Sequence, residues 1–119
     1  MPMSSSNIKP GQIVVADVGY SDQERSKRRL GLVVSSAKYN AKSPDIVILK
    51  VTSKPRKNDF DCTLTNASTE KKMLAKESFI RADFPVVLVK DKILRQVDEV
   101  HTTKLDEVRS KIKELYELP

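Results

Sequence analysis

The stretch Asp45-Ile46-Val47-Ile48-Leu49-Lys50-Val51-Thr52 carries the strongest structural signal in this chain of 119 residues. Most of its residues are apolar and β-branched, and a polar turn at 36–44 precedes it, so it predicts a strand. Before that turn, Leu30-Gly31-Leu32-Val33-Val34-Ser35 is almost continuously apolar. Such a run is typical of a strand that is buried on both faces. The two segments indicate a mainly β fold.

Weaker strand signals lie on both sides of this pair. Further strands are predicted at 12–18, at 60–65 as an edge strand, and at 78–83 and 86–89. Pro85 separates the last two, and we expect a bend or bulge there because proline cannot donate a ladder hydrogen bond. Residues 91–101 fit either another strand or a turn. The chain therefore contains five or six short strands.

The C-terminal residues follow a helical period. Apolar side chains recur there at spacings of three and four, at Leu105, Val108, Ile112, Leu115 and Leu118. Thr103, with Asp106 three residues later, resembles a capping box. Short strands followed by a helix predict a small, bent antiparallel sheet or barrel capped by that helix. We expect a flexible tail at 1–8 and a single domain at 9–119.

The composition excludes several classes of protein. Hydrophobic residues make up 39% of the chain and charged residues 32%, a balance that neither disordered chains nor membrane proteins have. With one cysteine, Cys62, and one histidine, His101, the chain can build neither a disulfide framework nor a cysteine–histidine zinc site. The sequence shows no apolar signal region and no bilayer-length segment, so we expect a cytoplasmic protein without membrane contact.

The positive charge lies in the first half of the chain. Residues 1–60 contain eleven Lys or Arg against five Asp or Glu, whereas residues 61–119 contain eleven of each, so the net charge of +6 comes from the first half. It concentrates in two polar loops predicted after the first and third strands, at Arg25, Lys27, Arg28 and Arg29, and at Lys54, Arg56 and Lys57. At one rim of the sheet these loops would form a positive groove for nucleic-acid phosphates. The alternatives are charge that serves solubility and two solvated loops.

Two features could supply acid–base chemistry to a bound RNA. Cleavage without a metal needs a group that accepts the 2′-OH proton and cations that balance the charge of the phosphorane. His101 is a base by residue type, but a lone histidine beside a helix start is also typical of a surface or capping residue. Arg81 and Asp83 stand two residues apart, so both lie on one face of a strand. That carboxylate would stay ionised and accept a proton, or it would form an ordinary surface ion pair.

The order and spacing of several segments resemble the MazF/PemK family, the toxins of type II toxin–antitoxin modules. Lys9-Pro10-Gly11-Gln12-Ile13-Val14-Val15-Ala16-Asp17 is similar to the family's first strand. Glu24 stands five residues before Arg29, ahead of a hydrophobic strand that ends in serine. Thr52-Ser53 ends the next strand, Ser78-Phe79-Ile80-Arg81-Ala82-Asp83 is similar to the family's Arg-x-Asp segment, and an amphipathic helix closes the chain.

The resemblance implies an SH3-like barrel that forms a homodimer and acts as an endoribonuclease on single-stranded mRNA. Cleavage would need no metal or other cofactor and would leave a 2′,3′-cyclic phosphate and a 5′-OH. A cognate MazE-like antitoxin would neutralise the toxin by placing an extended, acidic tail in the positive groove.

The resemblance also implies roles for individual residues. Arg29 would stabilise the charge of the phosphorane, and Thr52 would hydrogen-bond the phosphate. Asp83, paired with Arg81, would be the base, and Glu24 would orient its loop or assist proton transfer. The RNA contacts expected from the resemblance and from the loop charge are Lys27, Arg28, Ser53, Lys54, Arg56 and Lys57.

Departures from the family pattern leave alternatives open. Leu30 stands where the family has a proline, and Arg28 precedes Arg29, so either arginine could be the functional one, with the spacing favouring Arg29. The chain could instead be a nucleic-acid or antitoxin-binding module that has lost its activity. A third alternative is a toxin of the same fold that acts on a topoisomerase, like CcdB. That activity uses a tryptophan-containing C-terminal segment, and this chain has no Trp.

Overall fold

The computed structural model describes residues 8–18 and 27–119, which form six strands and two helices. The strands are β1 (Gln12–Val18), β2 (Lys27–Val33), β3 (Asp45–Thr52), β4 (Asp61–Leu64), β5 (Ser78–Val89) and β6 (Ile93–Glu99). The helices are α1 (Ala37–Lys42) and α2 (Thr102–Tyr116), and single 3-10 turns lie at Asn66–Ser68 and Lys90–Lys92. None of the helices in these described ranges is long and apolar enough to cross a membrane.

All strand pairs are antiparallel, and the sheet order is β4-β5-β3-β2-β1-β6. Thr69, which follows edge strand β4, forms a bridge with Val100, which follows edge strand β6. The two edges can approach each other in this way only because the sheet is strongly bent. Within the described residues the edge strands themselves do not pair, so the sheet is open rather than a closed barrel. The expected mainly β fold with a C-terminal helix is confirmed.

Alternate residues of the central strands enter two separate hydrophobic cores. Ile13 of β1 and Leu32 of β2 pack in the first core, which also receives Val108 from α2. Their chain neighbours Val14 and Val33 pack in the second core on the opposite face. Since side chains alternate along a strand, the almost continuous apolar runs predict this burial on both faces. The first core also contains Val51 of β3, and Leu30 of β2 packs against it, so this core supports the end of the sheet at which β2 begins and β3 ends.

The polar turn expected at 36–44 contains helix α1, which corrects the sequence prediction. Ser36 caps this helix by accepting a hydrogen bond from the Tyr39 backbone N–H at 3.0 Å. Asn40 is fully buried, and its amide donates to the backbone oxygens of Ile8 and Ser35, both at 3.0 Å. Of the tail predicted at 1–8, only Ile8 belongs to the described residues, and it is fully buried in the second core.

Two strands extend further than the sequence predicts. Strand β2 begins at Lys27 rather than Leu30, because Arg28 and Arg29 pair with Asp17 and Ala16 of β1. Strand β5 continues through Pro85, and the expected bulge lies directly before it. Between the pairs Leu49–Pro85 and Val51–Ile80, four residues of β5 (81–84) stand opposite a single residue of β3. Strand β4 pairs only with residues 78–81. Pro85 therefore lies where β5 has one partner strand, and the missing N–H is tolerated there.

Helix α2 begins at Thr102, and His101 occupies the N-cap position. The predicted capping box at Thr103 and Asp106 is therefore wrong. The His101 oxygen accepts hydrogen bonds from the backbone N–H groups of Lys104 and Leu105 at 3.0 and 3.1 Å. Its ring Nδ1 lies 2.8 Å from a carboxylate oxygen of Glu70. His101 thus starts the helix and anchors the neighbouring loop.

Candidate functional site

A cavity of about 440 Å³ lies where β2 begins and β3 ends, beneath the loop that connects β4 to β5. The strand register explains why these segments meet. Gly31 of β2 lies opposite Lys50 of β3, so Arg29, two residues earlier on β2, is level with Thr52, two residues later on β3. The lining residues are Arg28, Arg29, Leu30, Lys50, Val51, Thr52, Ser53, Lys54, Leu74, Ala75, Lys76 and Ser78.

The lining carries a strong positive charge. Five of these residues are Arg or Lys, and among the described residues that line the cavity none is Asp, Glu or His. Guanidinium and ammonium groups are the usual protein partners of phosphate, and several of them in a concave site reinforce one another. The cavity is therefore suited to a phosphate group or another anion.

Arg28 and Arg29 differ in their exposure, although both line the cavity. Arg28 is exposed, whereas Arg29 is half-buried and its Nε atom is shielded from solvent. A shielded guanidinium acts in a medium of lower effective dielectric, so its electrostatic effect on a bound phosphate is larger. The burial favours Arg29 as the fixed cation of the site and leaves Arg28 at its rim.

Thr52 has a hydroxyl whose orientation is set by its own loop. The backbone N–H of Lys54 donates to Thr52 Oγ1 at 3.2 Å. A hydroxyl has one hydrogen to donate and two lone pairs. Because the backbone contact uses a lone pair, the hydrogen stays available to a phosphate oxygen. The side chain is half-buried, and Ser53 and Lys54 follow it at the rim.

The structure places Arg81 and Asp83 outside the cavity lining, in an ion-pair cluster with Arg56 and Asp61. Asp83 Oδ1 accepts hydrogen bonds from Arg56 Nη2 at 2.8 Å and from Arg81 Nε at 3.1 Å, and Oδ2 accepts from the two Nη2 atoms at 3.0 and 3.3 Å. The Arg81 hydrogen bond lowers the pKa of Asp83, partial burial opposes this, and the Arg56 hydrogen bond lowers it further. A carboxylate held in this way is a weak base.

Arg56 is equally committed to the cluster. Its Nε and Nη2 atoms donate to the two carboxylate oxygens of Asp61 at 2.9 and 2.8 Å, and the hydrogen bond to Asp61 is the main cause that raises its pKa. Lys27 and Lys57 are exposed and lie outside the lining. The cavity thus unites Arg28, Arg29, Thr52, Ser53 and Lys54 but not these two lysines, Arg56, Arg81 or Asp83. Glu24 lies outside the described residues.

Three polar residues of the lining were not singled out by the sequence: Lys50, Lys76 and Ser78. Lys50 does leave a signal, because it is the only charge between Ile46 and Val51 in an otherwise apolar strand. Its Nζ lies 4.9 Å from the ring centroid of Phe84, and the Arg81 guanidinium lies at the same distance. Phe84 therefore stands between the cavity and the ion-pair cluster. Ser78 begins the segment that resembles the family's Arg-x-Asp segment but was given no role, and Lys76 carries no sequence signal.

In the described part of the chain, no group of three or more His, Cys, Asp or Glu side chains could hold a metal ion. The one cysteine of the chain, Cys62, is fully buried beneath α2 in the first core. Burial raises the pKa of its thiol to about 12, and the Glu107 carboxylate contributes to this shift. The thiol is therefore protonated at neutral pH and inert as a nucleophile.

Comparison with known proteins agrees with the architecture. The family described as "PemK-like, MazF-like toxin of type II toxin-antitoxin system" matches residues 9–116. A MazE–MazF crystal structure from Deinococcus radiodurans contains a chain that is 26% identical, with a TM-score of 0.77 over 94% of this chain and 98% of that one. No curated protein sequence matches significantly.

Two further solved structures are less than 25% identical and support the fold alone. One is an endoribonuclease in complex with its cognate antitoxin from a mycobacterial species, at 20% identity and a TM-score of 0.74 over 94% of this chain and 97% of that one. The other is the Mycobacterium tuberculosis toxin MazF-mt6, at 13% identity and a TM-score of 0.75 over 91% and 98% of the two chains.

Proposed function

Because the chain belongs to the PemK-like, MazF-like toxins of type II toxin–antitoxin systems, we propose that it is an endoribonuclease that cleaves single-stranded mRNA without a metal ion. The observation that carries this proposal is the cavity where β2 begins and β3 ends, which is lined by five cations and the Thr52 hydroxyl. Its products would have a 2′,3′-cyclic phosphate and a 5′-OH.

The proposed reaction is an attack of the ribose 2′-oxygen on the adjacent phosphorus. The 2′-O–P bond forms, the bond to the 5′-oxygen of the next nucleotide breaks, and negative charge accumulates on the phosphorane between these events. The departing 5′-oxygen takes a proton from solvent water and leaves as the 5′-OH. Arg29 stabilises this charge from its shielded position, and Thr52 donates a hydrogen bond to a phosphate oxygen. Lys50 of β3 and Lys76 of the loop between β4 and β5 add positive charge to the lining.

The proton of the 2′-OH needs an acceptor. None of the cavity-lining residues among those described is a carboxylate or an imidazole. The resemblance gives the base role to Asp83 and gives Glu24, five residues before Arg29, a part in orienting its loop or assisting proton transfer. We instead assign the base to Glu24. Asp83 is disfavoured for this role by its two guanidinium partners and its lowered pKa. In this assignment Asp83 and Arg81 support the rim of the site.

The proposed regulator is a MazE-like antitoxin. Solved relatives include a MazE–MazF structure and an endoribonuclease in complex with its cognate antitoxin. An extended acidic tail laid in the cavity would pair its carboxylates with the lining cations and exclude RNA. We also propose a homodimer, because one cavity of about 440 Å³ offers little room for several nucleotides.

A binding module without catalytic activity is the second candidate. The observation that favours it is that the described lining of the cavity has cations and hydroxyls but no base. Such a module would bind RNA with the same salt dependence and leave it intact. Cleavage and binding therefore have to be measured separately.

The test of the enzyme uses purified protein and a mixed-sequence, single-stranded RNA. We expect Arg29→Ala to lower the cleavage rate by about 10²–10³-fold, since it removes charge stabilisation from the transition state. Arg109→Ala is the matched control, because Arg109 is exposed on α2 and outside the cavity. Equal rates for the two variants would contradict the assignment, and RNA that is bound but never cleaved would favour the binding module.

A further inference from the structure

Strands β2 and β3 form two walls of the cavity, and the loop at 65–77, which connects β4 to β5, forms the third. Leu74, Ala75 and Lys76 line the cavity from this side. Apart from the 3-10 turn Asn66–Ser68, the loop has neither helix nor strand. An exposed connection of this kind is mobile unless other groups hold its backbone. Two side chains outside the lining do hold it.

The first is the side chain of Asp98 in β6, a residue that is fully buried. Its Oδ1 accepts hydrogen bonds from the backbone N–H groups of Lys71 and Glu99, both at 2.8 Å, and its Oδ2 accepts from Met73 at 2.9 Å. Burial raises the pKa of this carboxyl, but the backbone hydrogen bonds from Met73, Lys71 and Glu99 outweigh it and lower the pKa overall. Asp98 thus folds the turn at 71–73 around an ionised carboxylate.

The second is Asn66, which binds both backbone groups of Leu74. Its Nδ2 donates to the Leu74 oxygen at 3.1 Å, and its Oδ1 accepts from the Leu74 N–H at 2.9 Å. The Asn66 side chain therefore makes the two hydrogen bonds that a neighbouring strand would otherwise make with the Leu74 backbone. Lys72, which lies between the two loop residues that Asp98 holds, has a positive φ of 56°. This conformation costs a non-glycine residue roughly 1–2 kcal/mol, so the loop needs external contacts to keep its shape.

We infer that Asn66 and Asp98 are positioning residues for RNA binding, which act by holding the wall at 74–76 in the shape that presents Lys76 to the cavity. This inference rests on the proposed function. A preformed wall spares the RNA the cost of ordering the loop when it binds. The Ser78 hydroxyl, which also lines the cavity, donates to the Lys76 oxygen at 3.2 Å and continues the same support.

The test measures the Kd of a non-cleavable, 2′-O-methylated single-stranded RNA together with amide hydrogen exchange at residues 74–76. Asn66→Ala should raise the Kd about fivefold, because binding must then immobilise the loop, and it should accelerate exchange of the Leu74 amide. Asn58→Ala is the matched control, since Asn58 Oδ1 holds the Phe60 N–H at 2.8 Å in a neighbouring loop.

A double-mutant cycle with Lys76 separates positioning from general structural damage. If Asn66 acts by holding the wall that presents Lys76, Asn66→Ala should raise the Kd much less in the Lys76→Ala variant than in wild type. Asp98→Asn provides a second variant if Asn66→Ala does not fold. Multiplicative effects of the two substitutions, or faster exchange at an unchanged Kd, would overturn the inference. Wild-type protein that binds no RNA would instead refute the proposed function, and the inference would fall with it.

Discussion

The chemistry of Thr52 and of Asp83 depends on how their polar atoms are already engaged. The Thr52 oxygen accepts a hydrogen bond from the Lys54 backbone N–H, so its own hydrogen stays available to a phosphate oxygen. Asp83 accepts from two guanidinium groups, so it has little tendency to take a further proton. Thr52 and Asp83, both assigned to catalysis by the resemblance, therefore differ in chemistry. Only the Arg81 partner of Asp83 is visible in the local sequence, because Arg56 stands 27 positions away in the chain.

This difference leads to a prediction about the base. Glu24→Gln should lower cleavage by about 10²–10⁴-fold, the usual contribution of a general base, and should remove the acidic limb of the pH–rate profile. Asp83→Asn should leave the shape of that profile unchanged. The exposed carboxylate of Asp59 supplies the control variant Asp59→Asn. The assignment fails if Asp83→Asn abolishes the acidic limb while Glu24→Gln retains it.

At the scale of elements, strands β1 and β3 were predictable from their apolar β-branched residues, and both have the predicted bounds. The start of β2 was not predictable, because Arg28 and Arg29 are typical of a loop in composition. They belong to the strand only because they pair with β1. Helix α1 is short and polar, and it is stabilised by its Ser36 cap and by the contacts of Asn40. These are contacts that local composition does not reveal.

The candidate site was predictable to a similar extent. Arg29 and Thr52 follow from the resemblance, and the register between β2 and β3 brings them level. The wall at 74–76 was not predictable, because Asp98 contacts Lys71 and Met73 across 27 and 25 positions of sequence. A clamp of this kind leaves no periodicity or motif within the loop itself.

The close packing of β2 on β3 gives a prediction for Gly31. A Cβ atom at this position would lie 2.5 Å from Ile48 Cδ1 and 3.2 Å from its Cβ and Cγ1 atoms. We expect Gly31→Ala to lower the free energy of unfolding by about 1–3 kcal/mol, the usual cost of overpacking, as measured by urea denaturation. Adding Ile48→Val removes the nearest atom and should recover part of the loss. An unchanged unfolding midpoint in Gly31→Ala would contradict this packing.

At the scale of the whole molecule, the structure shows where part of the net charge of +6 lies. Four of the eleven Lys and Arg residues at 1–60 line one cavity, where they match a polyanion: Arg28, Arg29, Lys50 and Lys54. Acidification makes the same molecule more positive. Protonation of Asp83 and Asp98 also breaks the hydrogen bonds that lower their pKa values. Both effects destabilise the folded chain in acid.

The two lowered pKa values predict how stability depends on pH. A carboxyl with a lowered pKa in the folded state stabilises the protein above its ordinary pKa of about 4, and this contribution is lost as the pH falls through the folded value. The free energy of unfolding should therefore drop below pH 4. Asp98→Asn should show a smaller drop between pH 6 and pH 3 than wild type, whereas Asp91→Asn, at an exposed site, should follow wild type. Equal drops in wild type and Asp98→Asn would contradict the role of the buried carboxylate.

The central claim is that the cation-lined cavity cleaves RNA by attack of the 2′-hydroxyl without a metal ion. The most direct measurement is the chemical identity of the fragment ends after incubation of a single-stranded RNA with the protein in EDTA. We predict 2′,3′-cyclic phosphate and 5′-hydroxyl ends, and their loss in Arg29→Ala. Fragments with 5′-phosphate ends, or cleavage that appears only when a divalent metal is added, would contradict the account.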